Sequence, residues 1–187
     1  MFFHHSMETL MFDKSPRVVK REQRTLEQQL QVKITIAGRK ITIEGNPLDE
    51  YVALSVLDAV AFGFSLKEAL TLKDEDISFR KIHIRDFTRR KNLKDVRSRL
   101  IGREGKTKRT IEEISNCIVV IGESEVGIIG SVESIDAATQ GAINIIKGSK
   151  QANAYRYLER MNAEKKKMLD DLGLKINKKE EQNKEEN

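Results

Sequence analysis

The chain carries 187 residues, 39% hydrophobic, 5% aromatic and without tryptophan, so any core has to be built mostly from aliphatic side chains. A single cysteine, Cys117, excludes an intrachain disulfide framework and a multi-cysteine zinc site, and the longest apolar stretch, residues 52–64, is too short for a bilayer and contains Asp58. The net charge of +5 is concentrated: residues 1–79 hold 10 basic and 12 acidic side chains, residues 80–109 hold 13 and 3, and the remainder holds 11 and 14, which points to an anionic partner at the middle of the chain.

At the start, His4, His5, Ser6 and Glu8 interrupt an apolar run that no basic segment precedes, so a signal peptide is not expected; a cytoplasmic protein without a membrane partner is. Val32, Ile34 and Ile36 alternate with Lys33 and Thr35, the period of a half-buried strand, and Ala37-Gly38-Arg39-Lys40 predicts a hairpin turn before Ile41 and Ile43. Pro47 suits the first turn of a helix whose face is Val52, Val56, Leu57 and Val60 and which Gly63 stops. Asp74, Glu75 and Asp76 read as a solvated linker or cap. Residues 80–87 then alternate Ile82 and Ile84 with His83 and Arg85, which predicts a strand, and residues 92–101 predict a helix with Leu93, Val96 and Leu100 inward. Strands are expected over residues 117–121 and 126–129, and a closing helix is lined by Ile135, Ala138, Ala142 and Ile145. From residue 163 onward, 7 basic and 7 acidic residues with sparse apolar anchors predict a fraying helix leading into a disordered tail.

The chain also matches itself at an offset of 85 residues. Arg24-Thr25-Leu26-Glu27 lies over Arg109-Thr110-Ile111-Glu112, Ile36 over Ile121, Ile43 over Ile128, Gly45 over Gly130, Ala53 over Ala138 and Gly63 over Gly148. Each copy reads as a short helix, two strands and a longer helix.

Gly102-Arg103-Glu104-Gly105 joins two short amphipathic helices in the second copy. The spacing alone is commonplace in a chain with 11 glycines, but this one follows the basic helix bearing Arg97 and Arg99 and precedes Lys106, Thr107, Lys108 and Arg109. Glycines in such a turn let the backbone approach a sugar-phosphate chain, and the helix that begins there offers free amides to phosphate. Phosphate contacts are blind to sequence, so bases have to be read by a neighbouring element, and the strand with Ile118, Val119 and Val120 offers backbone groups and aliphatic surface. A phosphate loop of the nucleotide-hydrolase kind is excluded, because its first glycine position is Leu100 and a basic helix stands where a buried strand is required. His4, His5 and His83 have no Cys or carboxylate at ligand spacing, Cys117 starts a buried-looking strand, and nothing assembles a nucleophile, base and oxyanion donor. A binding protein with no cofactor, metal or catalytic residue is therefore expected.

Over Arg99-Leu-Ile-Gly-Arg-Glu-Gly-Lys-Thr-Lys-Arg-Thr-Ile-Glu-Glu-Ile114 the sequence resembles a K homology (KH) domain. With Gly63-Phe-Ser-Leu-Lys-Glu-Ala-Leu70, Ile84-Arg-Asp-Phe87 and Ala154-Tyr-Arg-Tyr-Leu-Glu-Arg160 it is similar to archaeal members of the Partner-of-NOB-one (Dim-two) family across roughly residues 17–160. The resemblance implies an α/β (α+β) protein of two tandem type I KH-like domains, each a three-stranded sheet with helices on one face. Residues 1–73 would form a degenerate domain, residues 74–162 a domain with the glycine loop, and residues 163–187 the tail. It further implies an assembly factor for the small ribosomal subunit that binds single-stranded precursor rRNA near its 3′ end. The expected partners are that RNA, the NOB-one endonuclease and the alpha subunit of initiation factor two. RNA would be held by Arg97, Arg99, Ile101, Gly102, Arg103, Glu104, Gly105, Lys106, Thr107, Lys108, Arg109, Ile118, Val119 and Val120. Where the first domain would carry its own glycine loop, the offset places Arg17-Val18-Val19-Lys20, whose branched side chains obstruct a close phosphate approach. The alternative reading is an adaptor whose KH folds contact proteins.

Overall fold

A computed structural model describes residues 7–11 and 16–171; His4, His5 and residues 172–187 lie outside them. The first unit runs β1 (Met7–Met11), α1 (Arg17–Arg21), α2 (Gln23–Leu30), β2 (Lys33–Ala37), β3 (Lys40–Glu44) and α3 (Pro47–Phe62), with α4 (Leu66–Leu70) and a short 3-10 turn behind it. The hairpin between β2 and β3 turns on Gly38 and Arg39, with Gly38 at φ +66°, the left-handed backbone that a two-residue turn requires there. Asn46 caps α3 by accepting the Leu48 N–H, Pro47 occupies the first turn, and Gly63 at φ +124° ends it.

The second unit runs β4 (Ile77–His83), α5 (Ile84–Phe87), α6 (Leu93–Ile101), a 3-10 turn (Arg103–Gly105), α7 (Lys106–Ser115), β5 (Ile118–Ile121), β6 (Glu125–Ser131) and α8 (Val132–Lys147), followed by α9 (Gln151–Asp171). The described strands form two antiparallel three-stranded sheets, ordered β1-β3-β2 and β4-β6-β5. This is the expected pair of KH-like units.

The internal repeat holds at atomic detail. Shifted by 85 residues, Pro47–Phe62 falls on Val132–Lys147, and the left-handed residues Gln31 and Asn116 coincide at φ 54° and 52°. A Cβ on Gly45 would press against Val32, and one on Gly130 would collide with Cys117, the same pair of positions in each unit. The units diverge upstream: Glu8 pairs with Ile43 and Arg80 with Ile128, so the first unit's link from strand to hairpin is thirteen residues shorter. Among the described residues the first unit has no counterpart of α6.

One expectation changes. The strand expected over residues 80–87 is β4 at 77–83 followed by a helical turn, because the Ile84 N–H leaves the sheet to donate to the Ser124 carbonyl at 2.8 Å. Ile82 and Ile84 are both buried, which is why alternation alone reads straight through the bend. The helix expected from residue 163 onward is present as far as Asp171 as the end of α9, and along it Lys165 reaches Glu133 at 2.8 Å and Ser134 at 3.1 Å.

The units share their apolar interior. Ile129 of β6 is buried in the first unit's core, and Ile77, Phe79, Ile118 and Val120 pack on that same core. Phe62, Phe64 and Phe79 form an aromatic triangle with centroids 5.5 to 5.9 Å apart, and Gly127 leaves the space that Phe62 and Phe64 fill. Cys117 is buried, and desolvation pushes its thiol pKa up, which leaves a protonated core side chain.

Candidate nucleic-acid interface

The turn between α6 and α7 is built from backbone that few sequences tolerate. Gly102, Glu104 and Gly105 have φ of +74°, +53° and +77°, three positive values in four residues. The two glycines do different work. A Cβ on Gly102 would lie 2.7 Å from the Thr107 nitrogen, so glycine is needed there for internal packing. At Gly105 the nearest atom to an added Cβ is Arg109 Nε at 4.0 Å, so this glycine keeps the outer face of the turn open. We therefore expect Gly102→Ala to cost about 3 kcal/mol of stability, from overpacking plus left-handed strain, and Gly105→Ala about 1 kcal/mol, from strain alone. Urea denaturation of the two variants checks the order.

Helix α7 starts at this turn without a side-chain cap and with no acidic residue in its first turn; the Lys106 N–H is held by the Arg103 carbonyl, and the positive end of the helix dipole is left without a negative side chain. Arg103, Lys106 and Arg109 are exposed around them and, with Glu104, Thr110 and Glu113, line a shallow depression. Arg109 buttresses the turn by donating to the Glu104 carbonyl at 2.6 Å. The result is a helix N-terminus ringed by guanidinium and ammonium groups, an arrangement that suits an anion.

The other expected site residues are not all at this surface. Thr107 is buried, its hydroxyl accepting from Gln151 at 2.7 Å. Arg99 turns away, donating to the Ser149 carbonyl at 2.7 Å beside the end of α8, a cation at a helix C-terminus. Arg97 is half-buried. Lys108 is paired with Glu112 at 2.9 Å. Ile101, 37% exposed, is the apolar residue beside the glycines. On β5, Val119 points into the second core while Ile118 and Val120 pack against the first, so their side chains are not offered to bases. What β5 does offer is backbone. It is an edge strand whose ladder groups at Ile118 and Val120 face β6, which leaves the N–H and carbonyl of Val119 pointing outward.

Sequence reasoning missed two residues that shape the site. Gln151, at the start of α9, donates to both the Arg99 carbonyl and Thr107, tying α9 to the glycine turn. Glu112 accepts the outward Val119 N–H at 2.8 Å. Its signal was present in the repeat, since Glu27 stands at the equivalent position and accepts the Ile34 N–H, also at 2.8 Å. In the first unit, residues 17–20 lie inside helix α1 with Val19 fully buried, so no glycine turn and no open anion seat exist there.

Residues 78–163 match a family model described as a eukaryotic-type KH domain (KH-domain type I), for the second such domain of PNO1 proteins. A KH domain-containing protein of Methanocaldococcus jannaschii is 31% identical over 144 residues, which cover 73% of this chain and 63% of that protein. The RNA-binding protein pno1 of Drosophila melanogaster is 27% identical over 135 residues, 68% of this chain and 56% of that one. The chain thus spans about three fifths of the length of these curated relatives. Among solved structures, Dim2p of Pyrococcus horikoshii superposes with a TM-score of 0.76 at 28% identity, covering 83% of this chain and 99% of that one. A second structure from that organism, a complex of a/eIF2alpha, aDim2p and rRNA, contains a chain that matches with a TM-score of 0.79 at 29% identity, covering 87% and 97%.

Proposed function

The chain belongs to the PNO1/Dim2 family of KH-domain proteins, and from that premise we propose that it is an RNA-binding ribosome assembly factor. Its second unit, residues 74–162, clamps single-stranded precursor rRNA of the small subunit near the 3′ end. The observation that carries this reading is the uncapped start of α7 beneath the open face of Gly105, surrounded by Arg103, Lys106 and Arg109. The protein acts by binding, holding the RNA while maturation partners work, without catalysing a reaction itself. The NOB-one endonuclease and the alpha subunit of initiation factor two are the partners we assign to it. Among the described residues no helix is long and apolar enough to cross a membrane.

A protein-contact role for the first unit is supported by Leu48 and Tyr51, 65% and 68% exposed on α3. It complements the RNA role of the second unit. The test is a salt titration of binding to single-stranded rRNA fragments. If three side chains at the turn each neutralise a phosphate, log affinity falls with log salt at a slope of about −2, roughly −0.7 per contact. Arg109→Gln flattens that slope by about one contact. A salt-independent affinity would assign the chain to protein contact alone.

A further inference from the structure

The two units set the same glutamate against the same strand edge but differ one helical turn earlier. Glu27 and Glu112 each accept the outward N–H of the edge strand, from Ile34 and Val119. Because the bond occurs in both units, including the one without a glycine turn, it belongs to the fold. The neighbouring residue is what changes. In the first unit Gln23 Nε2 donates to the Ile34 carbonyl at 2.6 Å and to Glu27 at 3.3 Å, so side chains close both outward groups of that edge. In the second unit Lys108 stands at this position and its Nζ lies 2.9 and 3.0 Å from the two Glu112 oxygens. Among the described residues, nothing donates to the Val119 carbonyl on its outward side.

We infer that this open edge is a base-reading element that selects guanine and rejects uracil, with Glu112 and the Val119 carbonyl as the specificity-determining groups. The inference rests on the RNA-binding reading above and adds to it a base preference. Each carboxylate oxygen has two acceptor sites. Glu112 Oε1 uses both, for the Val119 N–H and Lys108, while Oε2 uses one for Lys108 and keeps one free. The edge therefore presents two acceptors, and Lys108 Nζ, which spends two of its three N–H groups on Glu112, keeps one donor beyond them, the complement of guanine's carbonyl, ring N–H and amino group. Single-stranded bases are read on their Watson–Crick edges, where guanine offers a ring N–H next to an amino group, two adjacent donors. Adenine and cytosine offer one amino group beside a ring acceptor. Uracil flanks a single N–H with two carbonyls, one of which would face the Val119 carbonyl, acceptor against acceptor. Lys108 pairs with Glu112 and holds its side chain in place, and its flexible stem lets it follow a phosphate when RNA enters.

The test uses the full chain and four labelled octanucleotides, U8 and alternating GU, CU and AU, read by fluorescence anisotropy. The GU strand binds at least tenfold more tightly than U8, in the range of one well-formed bidentate base contact. Glu112→Gln keeps an oxygen for the Val119 N–H but places a donor where Oε2 was, and the GU preference falls below threefold. Lys108→Gln and Lys108→Met remove the same charge, but only glutamine can close the Val119 carbonyl as Gln23 closes that of Ile34. The preference is lost in Lys108→Gln and retained in Lys108→Met. Equal affinity for all four strands, or a preference untouched by Glu112→Gln, would overturn this inference while leaving RNA binding intact. Failure of every strand to bind would instead remove the RNA-binding reading on which it rests.

Discussion

With Arg103 and Lys106 both changed to Asp, affinity for single-stranded RNA falls at least a hundredfold, about 2.8 kcal/mol, while the folded state is as stable as before or more so. The two readouts separate because they depend on opposite signs of charge. Both side chains are exposed at the turn, so neither substitution opens a cavity. Lys106 is the first residue of α7, whose first turn holds no acid, and a carboxylate there favours the helix dipole by about 0.3 to 1 kcal/mol. The same carboxylate repels phosphate where the Lys106 ammonium attracted it, and Arg103→Asp replaces a second attraction with a repulsion. Each lost charge-assisted contact is worth about 1.5 to 3 kcal/mol. Anisotropy with an rRNA oligonucleotide and a thermal melt of the same sample provide the two measurements. Undiminished affinity in a folded double variant would move the RNA off this turn.

Much of this architecture was written in short-range pattern. The hairpin at Gly38, the start of α3 at Pro47 and its stop at Gly63 follow from local backbone preference, and the offset of 85 residues carried the same elements into the second unit. Pattern failed where a residue's partner lay far along the chain. Ile84 continues the alternation of β4, and only the Ser124 carbonyl, forty residues on, decides that it leaves the sheet. Gly102 reads as an opening for phosphate until Thr107 is seen against it. Arg99 reads as a free cation, but the Ser149 carbonyl holds it. Ile118 and Val120 read as an aliphatic floor for bases because nothing in their own segment reveals that the first unit's core lies behind them. The charge run located the loop, and packing decided which members of the run reach solvent.

The same packing makes the two units one cooperative structure, and Phe64→Ala exposes this most directly. Phe64 is 3% exposed and sits in the first unit's core while its ring meets Phe79 of β4 edge-on at 5.5 Å. Truncating a buried aromatic costs about 3 to 5 kcal/mol, a large share of the stability of a chain this size. Since Gly127, Ile129, Ile118 and Val120 bring the second sheet onto the same cluster, the loss is felt on both sides of residue 74. Urea unfolding of Phe64→Ala, followed both by far-ultraviolet dichroism and by a fluorophore attached near Ser98, should give coincident transitions at a lower midpoint. The slope should remain near that of the parent. The variant's RNA affinity at low urea should weaken as well, because β5 rests its inner face on the disturbed core and presents its outward backbone to the ligand. Separating the chain after Lys73 removes that support altogether. It leaves Ile77, Phe79, Ile118 and Val120 uncovered on one fragment and the aromatic pair of Phe62 and Phe64 on the other, so neither fragment should stay monomeric. Two separate transitions in the intact chain, with only the first moved by Phe64→Ala, would make the units independent, and the first would then serve the second only as a neighbour.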